Sequence, residues 1–110
     1  MSEEDWRAVA SQMFIIERES TNLLAVMNGR TRAPVLDRCN WLSTCVSRAK
    51  SDLENEMYHQ GIRDMKIFYP GEENKARATE ESRELRERMV AEGSLLMGRL
   101  PVTPASPSQT

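Results

Sequence analysis

The chain has 110 residues, of which 39% are hydrophobic and 29% charged, and its formal net charge is −2. This composition is typical of one globular domain with a modest core rather than of a disordered chain. Its 15 basic and 17 acidic residues are closely interspersed. Because nucleic-acid binders gather Lys and Arg on one face or in one run, we expect no nucleic-acid partner.

The first predicted helix begins at a capping pattern in which Ser2 is followed three residues later by Asp5. Acidic residues crowd the first turn, where the helix dipole favours them. Apolar side chains then recur at spacings of three and four: Trp6, Val9, Met13, Ile16, Leu23 and Met27. This pattern predicts an amphipathic helix from Ser2 to about Asn28, ended by Asn28 and Gly29.

A second amphipathic helix is predicted from Pro34 to about Gln60, because proline suits the first position of a helix and Gly61 ends the pattern. Its apolar stripe has the same rhythm: Val35, Cys39, Leu42, Val46, Ala49 and Leu53. Two such helices joined by a short turn are expected to fold back as an antiparallel hairpin, since neither buries its stripe alone.

The segment from Ile62 to Glu73 is predicted to connect the hairpin to a third helix, and its apolar residues Ile67, Phe68 and Tyr69 to close one end of the core. The third helix is predicted from about Glu72 to Arg99, with a kink or restart at Gly93 and Ser94. It is strongly charged, and its apolar stripe is thin at first. Residues 101–110 are uncharged and contain three prolines, so we predict a single helical domain over 1–100 and a disordered tail.

The cysteines Cys39 and Cys45 lie six residues apart in one predicted helix. Their side chains therefore point about 120° apart around the helix, and we expect no disulfide bond between them. Free thiols of this kind are typical of proteins in a reducing compartment. The acidic amino terminus does not resemble a signal peptide, and no apolar window approaches the ~20 residues of a membrane span. These observations predict a soluble, intracellular protein with no membrane partner.

The sequence also lacks the patterns that enzymes and cofactor sites require. No Gly-rich loop follows a predicted strand, and the cysteines show neither the close spacing of a zinc site nor a nearby histidine for nucleophilic catalysis. We therefore predict a non-enzymatic protein without a cofactor.

The third helix carries the main functional prediction. A helix this polar gains little from packing on its own hairpin, so we expect the bundle to be completed by dimerisation or by another protein. The predicted function is a helical interaction or assembly module, such as a small subunit, an adaptor or a chaperone-like partner. The residues predicted to contact the partner, by burial of a helix in a groove, are Trp6, Met13, Leu85, Met89, Leu96 and Met97.

One alternative is a metal site. Glu56 and His59 lie three residues apart, so that both side chains share one face of a helix, as in half of a carboxylate-bridged metal site. The pattern resembles that of encapsulated ferritin-like proteins, in which a Glu on helix one faces a Glu-x-x-His on helix two across a dimer axis. The resemblance implies a dimeric metal-binding protein in which Glu17 or Glu19 is the further ligand. The other interpretation is an ordinary helix end, where the dipole favours a histidine.

A second alternative rests on the stretches "EEDWR" (Glu3 to Arg7) and "LENEMY" (Leu53 to Tyr58), which resemble fragments of KIX domains. KIX domains are three-helix modules of transcriptional coactivators that bind activation peptides. The resemblance implies such a peptide-binding role. In that family the third helix is apolar and aromatic, whereas here Pro70, Gly71 and a charged run stand in its place.

Overall fold

The computed structural model describes residues 1–97 and confirms the predicted all-helical class, since that range contains four α-helices and no strand. The helices, in chain order, are α1 (Glu3–Met27), α2 (Ala33–His59), α3 (Glu72–Glu81) and α4 (Arg83–Met97). The predicted disordered tail, 101–110, lies outside the described residues, as do the last residues of the predicted domain.

The start of α1 is fixed by a capping box, as the sequence predicted. The Ser2 hydroxyl accepts a hydrogen bond from the Asp5 backbone N–H at 3.1 Å, and the Asp5 carboxylate accepts one from the Ser2 N–H at 3.0 Å. These two bonds satisfy backbone donors that a helix start leaves free. The helix ends at Met27, with Asn28 as its cap.

The boundaries of α2 also follow its sequence. Pro34 lies in its first turn, where the missing N–H costs nothing. At the other end Gly61 adopts a φ of 96°, a backbone conformation that side chains disfavour, and the chain leaves the helix there. Among the helices of the described range, α2 packs only against α1, whereas α1 contacts all three others.

The core lies where α1, α2 and the connection after α2 meet. Ile67 and Phe68 of that connection are buried, and the Phe68 ring lies 6.3 Å from the Trp6 ring in a tilted arrangement. The Trp6 indole N–H donates to the Gln60 side chain at 3.2 Å, which joins the start of α1 to the end of α2. The buried cluster comprises Trp6, Ala10, Met13, Phe14, Val46, Met57, Ile67 and Phe68.

The predicted third helix is divided in two, which the sequence analysis did not predict. The break lies at Ser82, between α3 and α4, and the helix continues through Gly93, where a kink was expected. The Arg86 side chain explains why the break is stable. Its guanidinium donates to the Thr79 carbonyl at 2.9 Å, an oxygen that an unbroken helix would offer to the Arg83 N–H.

The buried Phe68 provides a test of this core. Phe68→Ala is expected to lower the free energy of unfolding by about 3–5 kcal/mol, because it removes a fully buried ring and leaves a cavity. Denaturant unfolding followed by far-ultraviolet circular dichroism measures the loss. Met65→Ala, in the same connection but largely exposed, is the control and should change stability by less than about 0.5 kcal/mol. Equal losses for the two variants would contradict this account of the core.

Candidate protein-binding surface

The position of α4 on α1 is set by the same arginine that stabilises the break. The Arg86 guanidinium donates to the hydroxyl of Ser11 at 3.0 Å, and that hydroxyl in turn donates to the Ala8 carbonyl at 2.9 Å. Ser11 is fully buried. A buried polar group of this kind is stable when its hydrogen bonds are satisfied, and this pair of bonds holds α4 against the first half of α1.

An apolar groove of about 250 Å³ lies between α1 and α4 and reaches α2. Met89 and Val90 form the α4 side of the groove, and Leu53 is its contribution from α2. The remaining lining residues are Arg86 of α4 and four residues of α1: Ala8, Val9, Gln12 and Met13. A concave apolar surface beside an exposed apolar helix face is the usual form of a helix-binding site.

The second half of α4 exposes three large apolar side chains, which together we call the α4 patch: Val90, Leu95 and Leu96. Their exposed fractions are 54%, 68% and 63%. At about 100° per residue they point to different sides of the helix: Val90 lines the groove, Leu96 follows Met89 by seven residues on the same side, and Leu95 lies on the far side. The patch includes Leu96, one of the predicted partner contacts. Leu85 and Met89, two other predicted contacts on α4, are half-buried, and the side chain of Met97 lies outside the described part of the chain.

The other two predicted partner contacts lie inside the molecule. Trp6 is 2% exposed and Met13 is 6% exposed, because α2 and the connection after it cover this side of α1. Their side chains belong to the core, so we leave both out of the surface considered for binding. Periodicity identified their helix face correctly but did not indicate that this face is covered within the chain.

A second exposed apolar patch lies on α2 and consists of Trp41, Leu42 and Cys45. The sequence placed Leu42 in the apolar stripe expected to pack in the hairpin, but Leu42 and Ala49 of that stripe are exposed, because α1 covers the neighbouring face around Val46. Trp41 is 54% exposed, and the guanidinium of Arg48 lies over its ring at 5.1 Å from the centroid. Leu42 and Cys45 are also exposed. Tryptophan and arginine are enriched where binding energy concentrates in interfaces. The available signal was Trp41 itself, a large aromatic residue set off the main stripe of its helix.

Glu17, a predicted metal ligand, forms an ion pair within the chain. It accepts from the Lys50 ammonium at 3.2 Å, and Lys50 is only 5% exposed. The same ammonium lies 4.2 Å from the centroid of the Tyr69 ring and 5.5 Å from that of Phe14. A buried charge requires such compensation. The pKa of Tyr69 is raised by burial first and then by the nearby carboxylates of Glu54 and Glu17.

Glu56 and His59, the other predicted ligands, are both exposed at the end of α2, and Glu56 accepts a hydrogen bond from Gln60 at 3.0 Å. Gln60 lies beside Trp6 near the start of α1, whereas Glu17 lies more than two turns further along that helix. The three predicted ligands are therefore not brought together within one chain, and the site across a dimer axis stays a prediction. In residues 1–97 no group of three or more His, Cys, Asp and Glu side chains is placed to hold a metal ion.

A wider cleft of about 600 Å³ separates α1 from α3, and its lining is mostly charged or polar. Each of its charged groups has a partner. Lys75 contacts Glu72 at 2.8 Å within the cleft, and the others pair with residues outside its lining: Glu17 with Lys50, Arg18 with Glu19 and Glu80 with Arg83. The hydrogen bond from Lys75, followed by its charge, lowers the pKa of the Glu72 carboxyl. A surface whose charges are already paired offers little to a ligand, so we favour the apolar patches as the candidate site.

The two stretches that resemble KIX fragments have structural roles. Trp6 and Met57 are core residues, and the Tyr58 hydroxyl donates to Glu54 of the same helix at 3.0 Å. The helix that follows them, α3, has no buried residue. It therefore differs from the apolar third helix that the resemblance implies.

No helix within residues 1–97 combines the length and the apolar character required to cross a membrane. No protein-family model, curated protein or solved structure matches the chain.

The Glu17–Lys50 pair is expected to contribute to stability. Glu17→Ala should lower the free energy of unfolding by about 2 kcal/mol, because it removes the hydrogen-bonded counter-charge of a buried ammonium. The matched control is Glu19→Ala, which breaks a largely exposed pair with Arg18 and should cost less than about 0.5 kcal/mol. Chemical unfolding of both variants measures the difference, and equal effects would show that Lys50 does not depend on Glu17.

Proposed function

We propose that the protein is a non-enzymatic helical interaction or assembly module. The observation that carries this proposal is the α4 patch, in which Leu95, Leu96 and Val90 are each more than half exposed on the helix that borders the apolar groove. Burial of a leucine side chain contributes roughly 1.5–3 kcal/mol. A partner helix that enters the groove would gain burial of this kind at Val90 and Leu96.

The proposal includes an antiparallel hairpin of α1 and α2. Three contacts support this arrangement: the Trp6 side chain meets Gln60, Glu17 meets Lys50, and the Ser43 hydroxyl lies 3.4 Å from that of Ser20. Residues later in α1 thus contact residues earlier in α2, which is the order of contacts in an antiparallel pair. In the proposed architecture α3 and α4 pack on α1 and leave the bundle incomplete.

The dimensions of the molecule support an incomplete bundle. The radius of gyration is 16.3 Å. Compact domains of about this length have a radius of about 13 Å. Three helices share α1 as their support, and a spread arrangement of this kind leaves apolar side chains uncovered. We propose that association with a second copy or with another protein completes the bundle.

Light scattering tests the proposal. The wild-type chain is expected to show a mass above 12.6 kDa that rises with concentration, or to retain a protein from cell lysate when immobilised. Val90→Glu combined with Leu96→Glu should weaken association at the α4 patch by at least tenfold, since two charged groups would have to be buried. Met65→Glu, a similar change at an exposed apolar residue away from the patch, is the matched control.

One combined result would contradict the proposed function. It is a wild-type chain that stays at the monomer mass at high concentration, unfolds in a single cooperative transition, binds no hydrophobic dye and retains no lysate protein. Such a molecule would have no need of a partner.

A further inference from the structure

The outer side of α2 carries an exposed stripe whose charges change sign along the helix. Five residues at spacings of four and three define this α2 stripe, and all are exposed: Arg38, Leu42, Cys45, Ala49 and Asp52. Because α2 packs against no helix other than α1 within residues 1–97, the stripe is uncovered. Spacings of this kind place the five side chains on one face, as in the seam of a two-helix coiled coil.

The charges of the α2 stripe are complementary to those of a second copy that runs in the opposite direction. Arg38 lies seven residues before Cys45, and Asp52 lies seven residues after it. At 1.5 Å per residue, each charge is about 10 Å from Cys45 along the helix. When two copies of α2 pair antiparallel about a twofold axis at Cys45, Arg38 of each copy lies level with Asp52 of the other. Parallel pairing would instead place like charges together, which is unfavourable.

The apolar positions of the α2 stripe fit the same arrangement. Leu42 lies three residues before the axis and Ala49 four residues after it, so the large side chain of one copy meets the small side chain of the other. Alternation of large and small residues lets two helix faces interdigitate. Trp41, beside the stripe, lies level with Ala49 of the second copy and would lose exposed area. Within residues 1–97 neither Arg38 nor Asp52 forms an ion pair, so both are available.

We infer that the chain forms a twofold dimer through the antiparallel pairing of the α2 stripe with that of a second copy, with the two Cys45 side chains adjacent at the axis. This inference rests on the proposed function and specifies the partner at one of its surfaces. One helix face is small beside the roughly 800 Å² per partner of a standard interface. The dimer is therefore weak and concentration-dependent.

Crosslinking of the full chain with a short bismaleimide tests the geometry. The Cys39→Ser variant, which retains Cys45, should form a covalent dimer as efficiently as the wild type. The Cys45→Ser variant should not, because Cys39 is half-buried and lies off the stripe. Crosslinking that requires Cys39, or that occurs equally at both cysteines, would overturn the proposed axis.

Charge reversal tests the ion pairs. Arg38→Asp alone or Asp52→Arg alone should weaken the dimer roughly tenfold, since two attractive pairs become repulsive. The double variant should restore the wild-type affinity because both pairs re-form with opposite sign. Arg63→Asp makes the same charge change on an exposed residue outside α2 and should have no effect. Sedimentation equilibrium at low salt measures each affinity, and the absence of rescue would contradict the pairing.

The results also separate this inference from the proposed function. If the chain associates through the α4 patch but the α2 variants have no effect, the inference fails and the interaction module stands. If the chain remains a monomer that binds a lysate protein, the inferred α2 dimer likewise fails and the interaction module stands. A compact monomer that binds nothing removes both.

Discussion

The structure depends on one constraint, which is that α1 supports every other helix. It is the only helix in residues 1–97 that packs against all three others. Its first half buries Trp6, Ala10, Met13 and Phe14 on the sides that α2 and the connection to α3 cover, while Ser11 anchors α4 through Arg86. Because each of the other helices uses α1 as its main support, much of their remaining surface has no helical neighbour within residues 1–97. The exposed apolar side chains of α2 and α4 follow from this arrangement.

The core is also confined to one end of the molecule. The Lys50 ammonium, with Glu17 and the rings of Phe14 and Tyr69, lies near the point where apolar packing gives way to polar contact, and Val46, one turn nearer the start of α2, is the last residue of the buried cluster in that direction. Beyond it, α1 and α2 meet through small contacts such as Ser20 with Ser43, and Leu23 and Val26 of α1 are exposed. Few buried apolar contacts mean low local stability, so we expect this end of the two helices to open more readily than the end around Trp6.

The sequence predicted those features that depend on local chemistry. The capping box, the proline in the first turn of α2 and the glycine after it are short-range signals, and the bounds of both long helices agree with them. The break at Ser82 was missed because it depends on Arg86 reaching Ser11, which lies 75 residues away in the chain. Periodicity likewise placed Trp6 and Met13 on one apolar face, but which face another element covers is decided by tertiary packing. The burial of Lys50 also depends on tertiary packing, because the groups that compensate its buried charge belong to α1 and to the connection after α2.

The two apolar patches differ in what can cover them. The charges of the α2 stripe complement their own reversed order, which favours a second copy, whereas the α4 patch adjoins a groove that suits a helix of any origin. Because α4 packs on α1 and makes no helix contact with α2, pairing through the outer side of α2 would leave the α4 patch of each copy exposed. A dimer of this kind would present two α4 patches at a fixed separation. Two linked sites bind a partner that has two matching sites far more tightly than either site does alone, because the second contact forms within the complex. Weak pairing through α2 would therefore still strengthen binding at α4, which is how a small module with a thin core can act in an assembly.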